Sequence, residues 1–257
     1  MVTLTGSAIC GGVVFGKIFV YRRPQSKVEQ YKVDNPSFEI NRFIHARDAA
    51  VEQLDALYQK ALSKTQERDA AIFSIHQMLL QDNVYTDAVN QIIEHKRINA
   101  EAAVSLAGDQ LSQMFEAIDD EYLRERSADM QDISARVLAI LSQAQQAHIP
   151  CPQEPSILFA DDLAPSETVL LCDNALTFVT QNPSATSHAA ILAKNMNIPM
   201  IVGAEDLLRE SYHGKHAVVD AFSGDIYIDP DHDTISELIA KADELLCAGR
   251  QPLSLAR

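Results

Sequence analysis

One long stretch without proline constrains the fold of this chain more than any other feature. From Pro36 to about Gln146 the sequence has no further proline and a single glycine, Gly108. Apolar residues recur three and four positions apart along it, as in Phe43, Ala46, Ala50, Leu54, Leu57 and Ala61. This spacing places apolar side chains on one face of a helix, and a proline suits the first helical turn. The stretch therefore predicts a helical bundle or paired helical hairpins, with further helices at Ala70–Leu80, Val84–His95, Ala100–Ile118 and Tyr122–Gln143.

The segments on either side of this stretch have the composition of strands. Before it, branched and aromatic residues cluster between Val13 and Tyr21, which predicts one or two strands. After a proline-rich linker at 148–155, strand-like runs alternate with short helices, which indicates an α/β layer. These runs are Ile157–Ala160, Thr177–Thr180, Met200–Val202, Ala217–Asp220 and Ile226–Ile228.

The domain organisation follows from the length of the first segment. It is too short to fold alone, so we expect it to pair into the later sheet, which makes the helical stretch an insertion. The predicted domains are an α/β domain at residues 1–33 plus 147–232 and a helical subdomain at residues 34–146. Within the helical subdomain, Asn99 is predicted to cap the helix that begins at Ala100. A C-terminal helix is predicted at residues 233–257.

The charge balance limits the classes of partner. Lys and Arg number 21 and Asp and Glu number 36, a formal charge of −15. Residues 34–146 contain 10 of the basic and 19 of the acidic residues, a balance of −9. An acidic surface repels phosphate backbones and anionic lipid, which disfavours nucleic acid and membranes and favours a basic protein partner. The alternative is that these charges only solvate the outer faces of the helices.

The cysteines and histidines outside the main motif give no metal-site pattern. The cysteines lie far apart without a CxxC pair, which argues against a zinc site and a dense disulfide framework; they are Cys10, Cys151, Cys172 and Cys247. His213, His216 and His232 lack the spacing of a ligand helix. No run reaches the ~18 apolar residues of a membrane span, and the N-terminus has no basic signal region. We therefore expect a cytoplasmic protein without a metal in this chain.

The segment N-P-S-A-T-S-H-A-A-I-L-A-K, which begins at Asn182, carries the candidate chemistry. A strand is predicted before it and a helix from His188 to Met196, so His188 falls in the first helical turn. Free backbone N–H groups and the positive end of the dipole favour an anion there. A ring nitrogen could hold a phosphoryl group whose oxygens bind these N–H groups and the Thr186 and Ser187 hydroxyls, with Lys194 adding charge if its side chain returns. The alternative is that Ser and Thr only cap the helix and His188 is a surface residue.

Several segments of the chain resemble a known family. The T-S-H-A-A-I-L-A-K run, followed by N-I-P-M-I-V-G, resembles the phosphohistidine signature of PEP-utilising enzymes. The runs D-D-L-A-P-S-E-T, A-I-F-S-I-H-Q-M-L-L-Q-D and D-D-E-Y-L-R-E-R-S-A-D-M-Q-D-I, with G-V-V-F-G-K near the start, resemble bacterial Enzyme I, the phosphoenolpyruvate-protein phosphotransferase of the sugar phosphotransferase system. The resemblance implies an α/β phosphohistidine (swivelling) domain with an inserted all-α helical-bundle subdomain.

The resemblance also implies roles for individual residues. His188 matches the histidine that receives phosphoryl from PEP and passes it reversibly to the phosphocarrier protein HPr, which drives sugar uptake. Thr168 matches the threonine whose hydroxyl lies beside that histidine and helps to set its tautomer and rotamer. The helical subdomain matches the docking surface for HPr, whose own surface near its histidine is typically basic. The matching docking residues are His76, Met78, Leu79, Asp82, Leu123 and Arg126.

Four of the six docking residues have an alternative interpretation from the residues alone. Met78 and Leu79 at helical spacing are compatible with core positions, and His76 with a core histidine whose hydrogen bonds are satisfied. Arg126 is compatible with an ion pair to Asp120 or Glu125.

The sequence departs from the family pattern at two places and in length. Pro183 and Ser184 replace two glycines, which changes the backbone freedom of the turn, and Lys194 replaces an arginine, which removes a bidentate fork for phosphate. The family's C-terminal barrel, which binds PEP and Mg²⁺ and forms the homodimer, has no counterpart here. We therefore expect a monomer that exchanges phosphoryl with HPr and does not take it from PEP. The alternatives are the swivelling domain of a pyruvate phosphate dikinase or PEP synthase, and a non-catalytic HPr-binding adaptor.

Overall fold

A computed structural model of the protein describes residues 1–23, 28–142, 150–182, 187–231 and 234–236, and within 121–125 it describes the backbone alone. The chain divides into two compact units: Met1–Arg23 with Ile149–Arg257, and Pro24–His148. The helix predicted at residues 233–257 lies outside the described residues apart from 234–236, which are helical. No helix among the described residues is long and apolar enough to cross a bilayer.

The first boundary between the units lies ten residues before the predicted one, at residue 23 instead of 33. The cause is a set of contacts that ties residues 29–32 to the helical unit. The Asn99 side chain accepts a hydrogen bond from the Tyr31 N–H (3.1 Å) and donates one to the Glu29 carbonyl (3.0 Å). Lys32 also forms an isolated β-bridge with Ile98. These pairings satisfy the backbone of the segment within the second unit.

The described part of the helical unit contains five helices at the predicted places: α1 (Pro36–Leu62), α2 (Glu67–Gln81), α3 (Asn83–Lys96), α4 (Ala100–Glu116) and α5 (Glu121–Leu141). Pro36 lies in the first turn of α1, and Asn35 caps it by accepting a hydrogen bond from the Phe38 N–H. The periodic apolar residues of α1 are buried as predicted. α4 and α5 approach closely at Gly108, where a Cβ atom would lie 2.5 Å from the Ser134 Oγ.

The described part of the first unit forms one eight-stranded sheet. Its strands are β1 (Val2–Thr5), β2 (Ser7–Cys10), β3 (Val13–Val20), β4 (Ser156–Ala160), β5 (Ala175–Thr180), β6 (Met200–Val202), β7 (His216–Asp220) and β8 (Asp225–Ile228). The strand order is β1-β8-β7-β3-β4-β5-β6-β2. Two helices follow the central strands, α6 (Pro165–Leu171) after β4 and α7 (His188–Asn195) after β5.

Gly6 closes this sheet at one corner. β1 and β2 lie at opposite ends of the strand order, yet a single residue, Gly6, joins them, so the two edges of the sheet must meet there. The Gly6 N–H donates to the Gly224 carbonyl at 2.9 Å, and a Cβ at Gly6 would lie 2.7 Å from the Val202 carbonyl oxygen. Only a residue without a side chain fits so close to two other backbones.

Alternate residues of the central strands enter two different apolar clusters. In β4, Ile157 and Phe159 belong to a core that includes residues of β7 and β8, whereas Leu158 and Ala160 belong to a core under α6 and α7. This period of two is the expected consequence of side chains that alternate across a strand. All five residues of β4 are buried, so neither side of this strand is exposed. The second cluster places α6 and α7 on one face of the sheet.

Candidate functional site

The candidate site lies where the parallel strands end. β3, β4, β5 and β6 run parallel to one another, so their carboxyl ends meet at one edge of the sheet. Residues 21–23 follow β3, residues 161–168 follow β4 and residues 181–188 follow β5. Ligands of open parallel sheets bind at this edge. The topology thus brings together the two sequence motifs, at Asp161–Thr168 and at Asn182–Lys194, that are far apart in the chain.

The loops at this edge are joined by hydrogen bonds. The Asn182 side-chain amide donates to the Asp162 carboxylate at 2.9 Å, and the Asn182 N–H donates to the Asp161 carbonyl at 2.9 Å. The Gly203 N–H after β6 donates to the Asn182 carbonyl at 3.2 Å. Burial raises the pKa of the Asp162 carboxyl, although hydrogen bonds from the Leu163 N–H and Asn182 oppose this shift. Asn182 therefore fixes the loop after β5 to the loops after β4 and β6.

His188 is the first residue of α7, as the sequence predicts, and its side chain is half-buried. The residues that follow it on the inner side of the helix, Ala189, Ala190 and Ala193, are buried against the sheet. The exposed Ile191 lies on the same face as His188, three positions on. The ring is therefore held by a well-packed helix and remains within reach of solvent.

Ser187 caps α7, because its Oγ accepts a hydrogen bond from the Ala190 N–H at 3.2 Å. This bond occupies the Ala190 N–H, one of the groups predicted to bind an anion. The N–H groups of His188 and Ala189 in the first turn remain for that role. A hydroxyl that accepts a hydrogen bond still has its own proton to donate. Thr186, the other predicted phosphate ligand, lies outside the described residues, as do Pro183 and Ser184.

Lys194 lies at the far end of α7 from His188. Six residues of helix separate the two Cα atoms by ~9 Å along the axis and place their side chains on different faces. Burial raises the pKa of the Cys10 thiol on β2, and the charge of Lys194 partly offsets this rise. The charge of Lys194 therefore influences the pKa of Cys10. Its position at the far end of α7 gives no support to the predicted phosphate contact.

Thr168 is fully buried on α6, which contacts α7. Its Oγ donates to the Ala164 carbonyl at 3.0 Å, and its N–H donates to the same oxygen at 3.0 Å. Because a carbonyl only accepts, the hydroxyl proton is committed to Ala164 and the oxygen lone pairs are turned elsewhere. The placement of the Thr168 hydroxyl beside the His188 ring, where it would help to set the tautomer and rotamer, stays a prediction.

Sequence reasoning missed Glu167, the buried carboxylate next to Thr168. It accepts hydrogen bonds from the Tyr21 hydroxyl, from the Arg23 guanidinium and from the Ala164 N–H, each at 2.7 Å. The available signal was the P-S-E-T run itself, since Glu at the third position of a helix after proline at the first is a capping pattern. Tyr21 and Arg23 carry no such signal, because their role depends on β3 lying beside β4.

Three of the predicted docking residues lie near the end of α2 in the helical unit. Met78 is 70% exposed and Leu79 is half-buried. Asp82 is exposed and caps α3, because its carboxylate accepts a hydrogen bond from the Val84 N–H at 2.7 Å. Leu123 is in α5, and its side chain lies outside the described part of the structure. Met78 is thus accessible to a partner, which disagrees with the alternative of a core position.

His76 and Arg126 are buried and are linked through an acidic residue. His76 is fully buried, with its Nε2 3.1 Å from the Asp129 Oδ1 and its Nδ1 3.6 Å from the Asp132 Oδ2. The Arg126 Nη1 donates to the Asp129 Oδ2 at 2.9 Å, and this arginine is 9% exposed. Arg126 therefore pairs with Asp129, an acidic residue that was not considered for it from the sequence. In this conformation His76 has no surface for a partner, and a docking role for it would act through Asp129 and α5.

Comparison with known proteins gives two family matches. The family model described as PEP-utilising enzyme, N-terminal, matches residues 5–126, and the one described as PEP-utilising enzyme, mobile domain, matches residues 152–224. A phosphoenolpyruvate-protein phosphotransferase of Haemophilus influenzae is 35% identical over 240 residues, and that of Bacillus subtilis is 31% identical over 247 residues. These alignments cover 92% and 96% of this chain but 42% and 43% of the relatives. The chain therefore spans about two fifths of the length of the curated relatives it matches.

Two solved structures are similar to this chain. A solution structure of an Enzyme I protein superposes with a TM-score of 0.75 at 28% identity, and the match covers 94% of this chain and 98% of that chain. A structure described as an N-terminal domain of Enzyme 1-Nitrogen superposes with a TM-score of 0.63 at 24% identity and supports the fold alone. The predicted architecture, an α/β domain with an inserted all-α helical bundle, is confirmed.

Proposed function

Because the chain belongs to the PEP-utilising enzymes and matches the N-terminal part of Enzyme I, we propose that it carries a phosphoryl group on His188 and exchanges it with HPr. One observation carries this proposal: a half-buried imidazole begins α7 at the edge where the parallel strands end. Backbone N–H groups of the first turn face that edge, and they favour the oxygens of a phosphoryl group. Transfer from PEP, with the Mg²⁺ that it is expected to need, is proposed for the whole enzyme.

The proposed step transfers phosphoryl between two imidazoles. A lone pair of a His188 ring nitrogen attacks the phosphorus of phosphorylated HPr, and a new N–P bond forms. The N–P bond on HPr breaks, and its electron pair returns to the HPr ring. Protein groups contribute positioning and stabilisation of charge on the three phosphoryl oxygens, as in other phosphoryl transfers. The step is reversible because the bond formed and the bond broken are of the same kind.

Phosphorylated HPr provides the test, since it needs no other domain of the enzyme. We expect the chain to accept labelled phosphoryl from it, and the product to be labile in acid and stable in base, as a phosphoramidate is. Labelled Ser or Thr esters would instead survive acid. Binding of HPr without any transfer of label would contradict the proposal and support the non-catalytic adaptor.

Met78 gives a test of the proposed HPr surface on the helical unit. We expect Met78→Ala to raise the Kd for HPr about tenfold, equivalent to ~1.4 kcal/mol, because an exposed apolar side chain would be buried on docking. Met78 directly follows Gln77, whose side-chain amide donates to the Val51 carbonyl of α1 at 3.1 Å. This part of α2 therefore lies beside Val51. Phe38, which is 60% exposed, lies 13 residues before Val51, ~20 Å away along the helix. Phe38→Ala is therefore the matched control.

Titration calorimetry with unphosphorylated HPr measures both variants. Both substitutions remove a largely exposed side chain, so thermal unfolding should change little in either. An equal loss of affinity in Phe38→Ala, or none in Met78→Ala, would contradict docking at the end of α2.

A further inference from the structure

We propose that Glu167, held by Tyr21 and Arg23, is a positioning residue for phosphoryl transfer: it fixes Ala164, and through Ala164 the hydroxyl of Thr168, so that the Thr168 oxygen accepts a hydrogen bond from one ring N–H of His188. The inference rests on the proposed function and assigns a role to three residues for which the sequence analysis predicted none. Its structural basis is a continuous set of short hydrogen bonds from the end of β3 to α6.

The first step is the clamp on the carboxylate. The Arg23 Nε and Nη2 donate to the two oxygens of Glu167, each at 2.7 Å, and the Tyr21 hydroxyl donates to Oε1 at 2.7 Å. Glu167 is 5% exposed and Tyr21 is fully buried. A bidentate Arg–carboxylate pair fixes orientation as well as distance. Together with the hydrogen bond from the Ala164 N–H, four short hydrogen bonds hold the Glu167 side chain in a single conformation.

The protonation states of this clamp are fixed by their surroundings. Burial, and then the adjacent Glu167 carboxylate, raise the pKa of the Tyr21 phenol, so it stays a hydrogen-bond donor throughout the physiological range. Glu167 accepts hydrogen bonds at both of its carboxylate oxygens. Tyr21 is itself held, because its N–H donates to the Phe159 carbonyl of β4 at 2.7 Å.

The second step leads from the carboxylate to Thr168. The Ala164 N–H donates to Glu167 Oε2 at 2.7 Å, and the Ala164 carbonyl accepts from both the N–H and the hydroxyl of Thr168. Both ends of the Ala164 residue are thus occupied. Because the hydroxyl proton of Thr168 points at Ala164, a neighbouring imidazole can only donate to Thr168, which leaves its other nitrogen with the nucleophilic lone pair.

The consequence for transfer is geometric. If the carboxylate is lost, the Ala164 N–H loses its acceptor and Thr168 loses the fixed direction of its hydroxyl. The His188 ring then samples both tautomers and more than one rotamer, and only part of the population presents the reactive nitrogen. Docking of HPr on the helical unit does not involve these groups, so its affinity should be unchanged while the rate constant of transfer falls.

Two variants test the proposal in the full chain. Glu167→Gln keeps the shape of the side chain but presents an NH₂ group to donors, and Tyr21→Phe removes one oxygen. With HPr saturating, we expect the single-turnover rate of transfer to fall by about tenfold to a hundredfold in Glu167→Gln and by less in Tyr21→Phe. The ¹⁵N shifts of the His188 ring should report one tautomer in the wild type and a mixture in Glu167→Gln, a change that a purely structural role would not cause.

Glu39→Gln is the matched control. Glu39 is also 5% exposed, and it accepts hydrogen bonds from an arginine, Arg42, and from a backbone N–H at a helix start, Ala100. Glu39→Gln weakens a buried set of hydrogen bonds of the same kind, but in the helical unit. The stability of this variant should fall, whereas its transfer rate with saturating HPr should not. Wild-type transfer with an unchanged rate and tautomer in both Glu167→Gln and Tyr21→Phe would overturn the inference. Absence of transfer in the wild type would instead overturn the proposed function.

Discussion

His188→Ala is expected to accept no phosphoryl from phosphorylated HPr under conditions in which the wild-type chain is fully labelled. The substitution removes the ring nitrogen that forms the N–P bond, and none of the neighbouring hydroxyls is an equivalent nucleophile at neutral pH. Alanine is favourable in a helix, and His188 is only half-buried, so α7 should remain intact. The circular dichroism spectrum and the affinity for HPr should be those of the wild type.

A second histidine variant controls for general effects. His95 is exposed on α3, and His95→Ala removes the same ring from the helical unit. We expect full labelling of this variant. If His188→Ala is still labelled to the wild-type level, His188 is not the acceptor.

Arg42→Ala is expected to destabilise the helical unit by about 3 kcal/mol. The Arg42 guanidinium donates to Glu39 of α1 and Glu101 of α4 and to the Leu141 carbonyl of α5. Removing it leaves two largely buried carboxylates without their cation. The value lies at the lower end for a broken buried ion pair because the Arg42 side chain is 28% exposed.

Hydrogen exchange of α1 and α4 amides measures this loss in the affected unit. Arg47 on the same helix is the matched control, since its side chain is 21% exposed but its partner Asp48 is 59% exposed. Arg47→Ala should cost less than about 1 kcal/mol. Equal protection in Arg42→Ala and the wild type would show that the three-helix clamp does not stabilise the unit.

The same clamp predicts a weaker pH dependence of stability in Arg42→Ala than in the wild type. Burial acts to raise the pKa of the Glu101 carboxyl, but hydrogen bonds from Arg42 and Asn99 hold it below its ordinary value of 4.5. In the wild type this carboxylate therefore contributes stability above pH 4.5 that is lost as the pH falls through its lowered pKa. In Arg42→Ala the cation is lost while burial and the Asn99 hydrogen bond remain, so the pKa of Glu101 moves upward and the stability lost on acidification should be smaller than in the wild type.

Local patterns were sufficient to predict the helical unit and the start of α7. The three-and-four spacing predicted the five helices, and the change from a strand to small polar residues placed His188 at a helix start; both are confirmed. Patterns of this kind report only which side of an element is buried. They contain no information about which distant residues meet across that side.

Contacts between distant segments account for what the sequence did not predict. Asn99 was predicted to cap α4, but its side chain bonds Tyr31 and Glu29, and Glu39 of α1 accepts the Ala100 N–H instead. The first segment contains three strands because Gly6 lets the chain pass from one sheet edge to the other. Glu167 and Tyr21 are 146 residues apart in the sequence. They meet only because β3 pairs with β4.

The most direct test of the central claim is to locate the phosphoryl group on the labelled chain. The sequence has eight histidines, and fragmentation of peptides from the phosphorylated protein, kept at alkaline pH, assigns the modified residue. The proposed function predicts one phosphoryl group per chain, on His188. A phosphoryl group on any other histidine, with His188 unmodified, would contradict it.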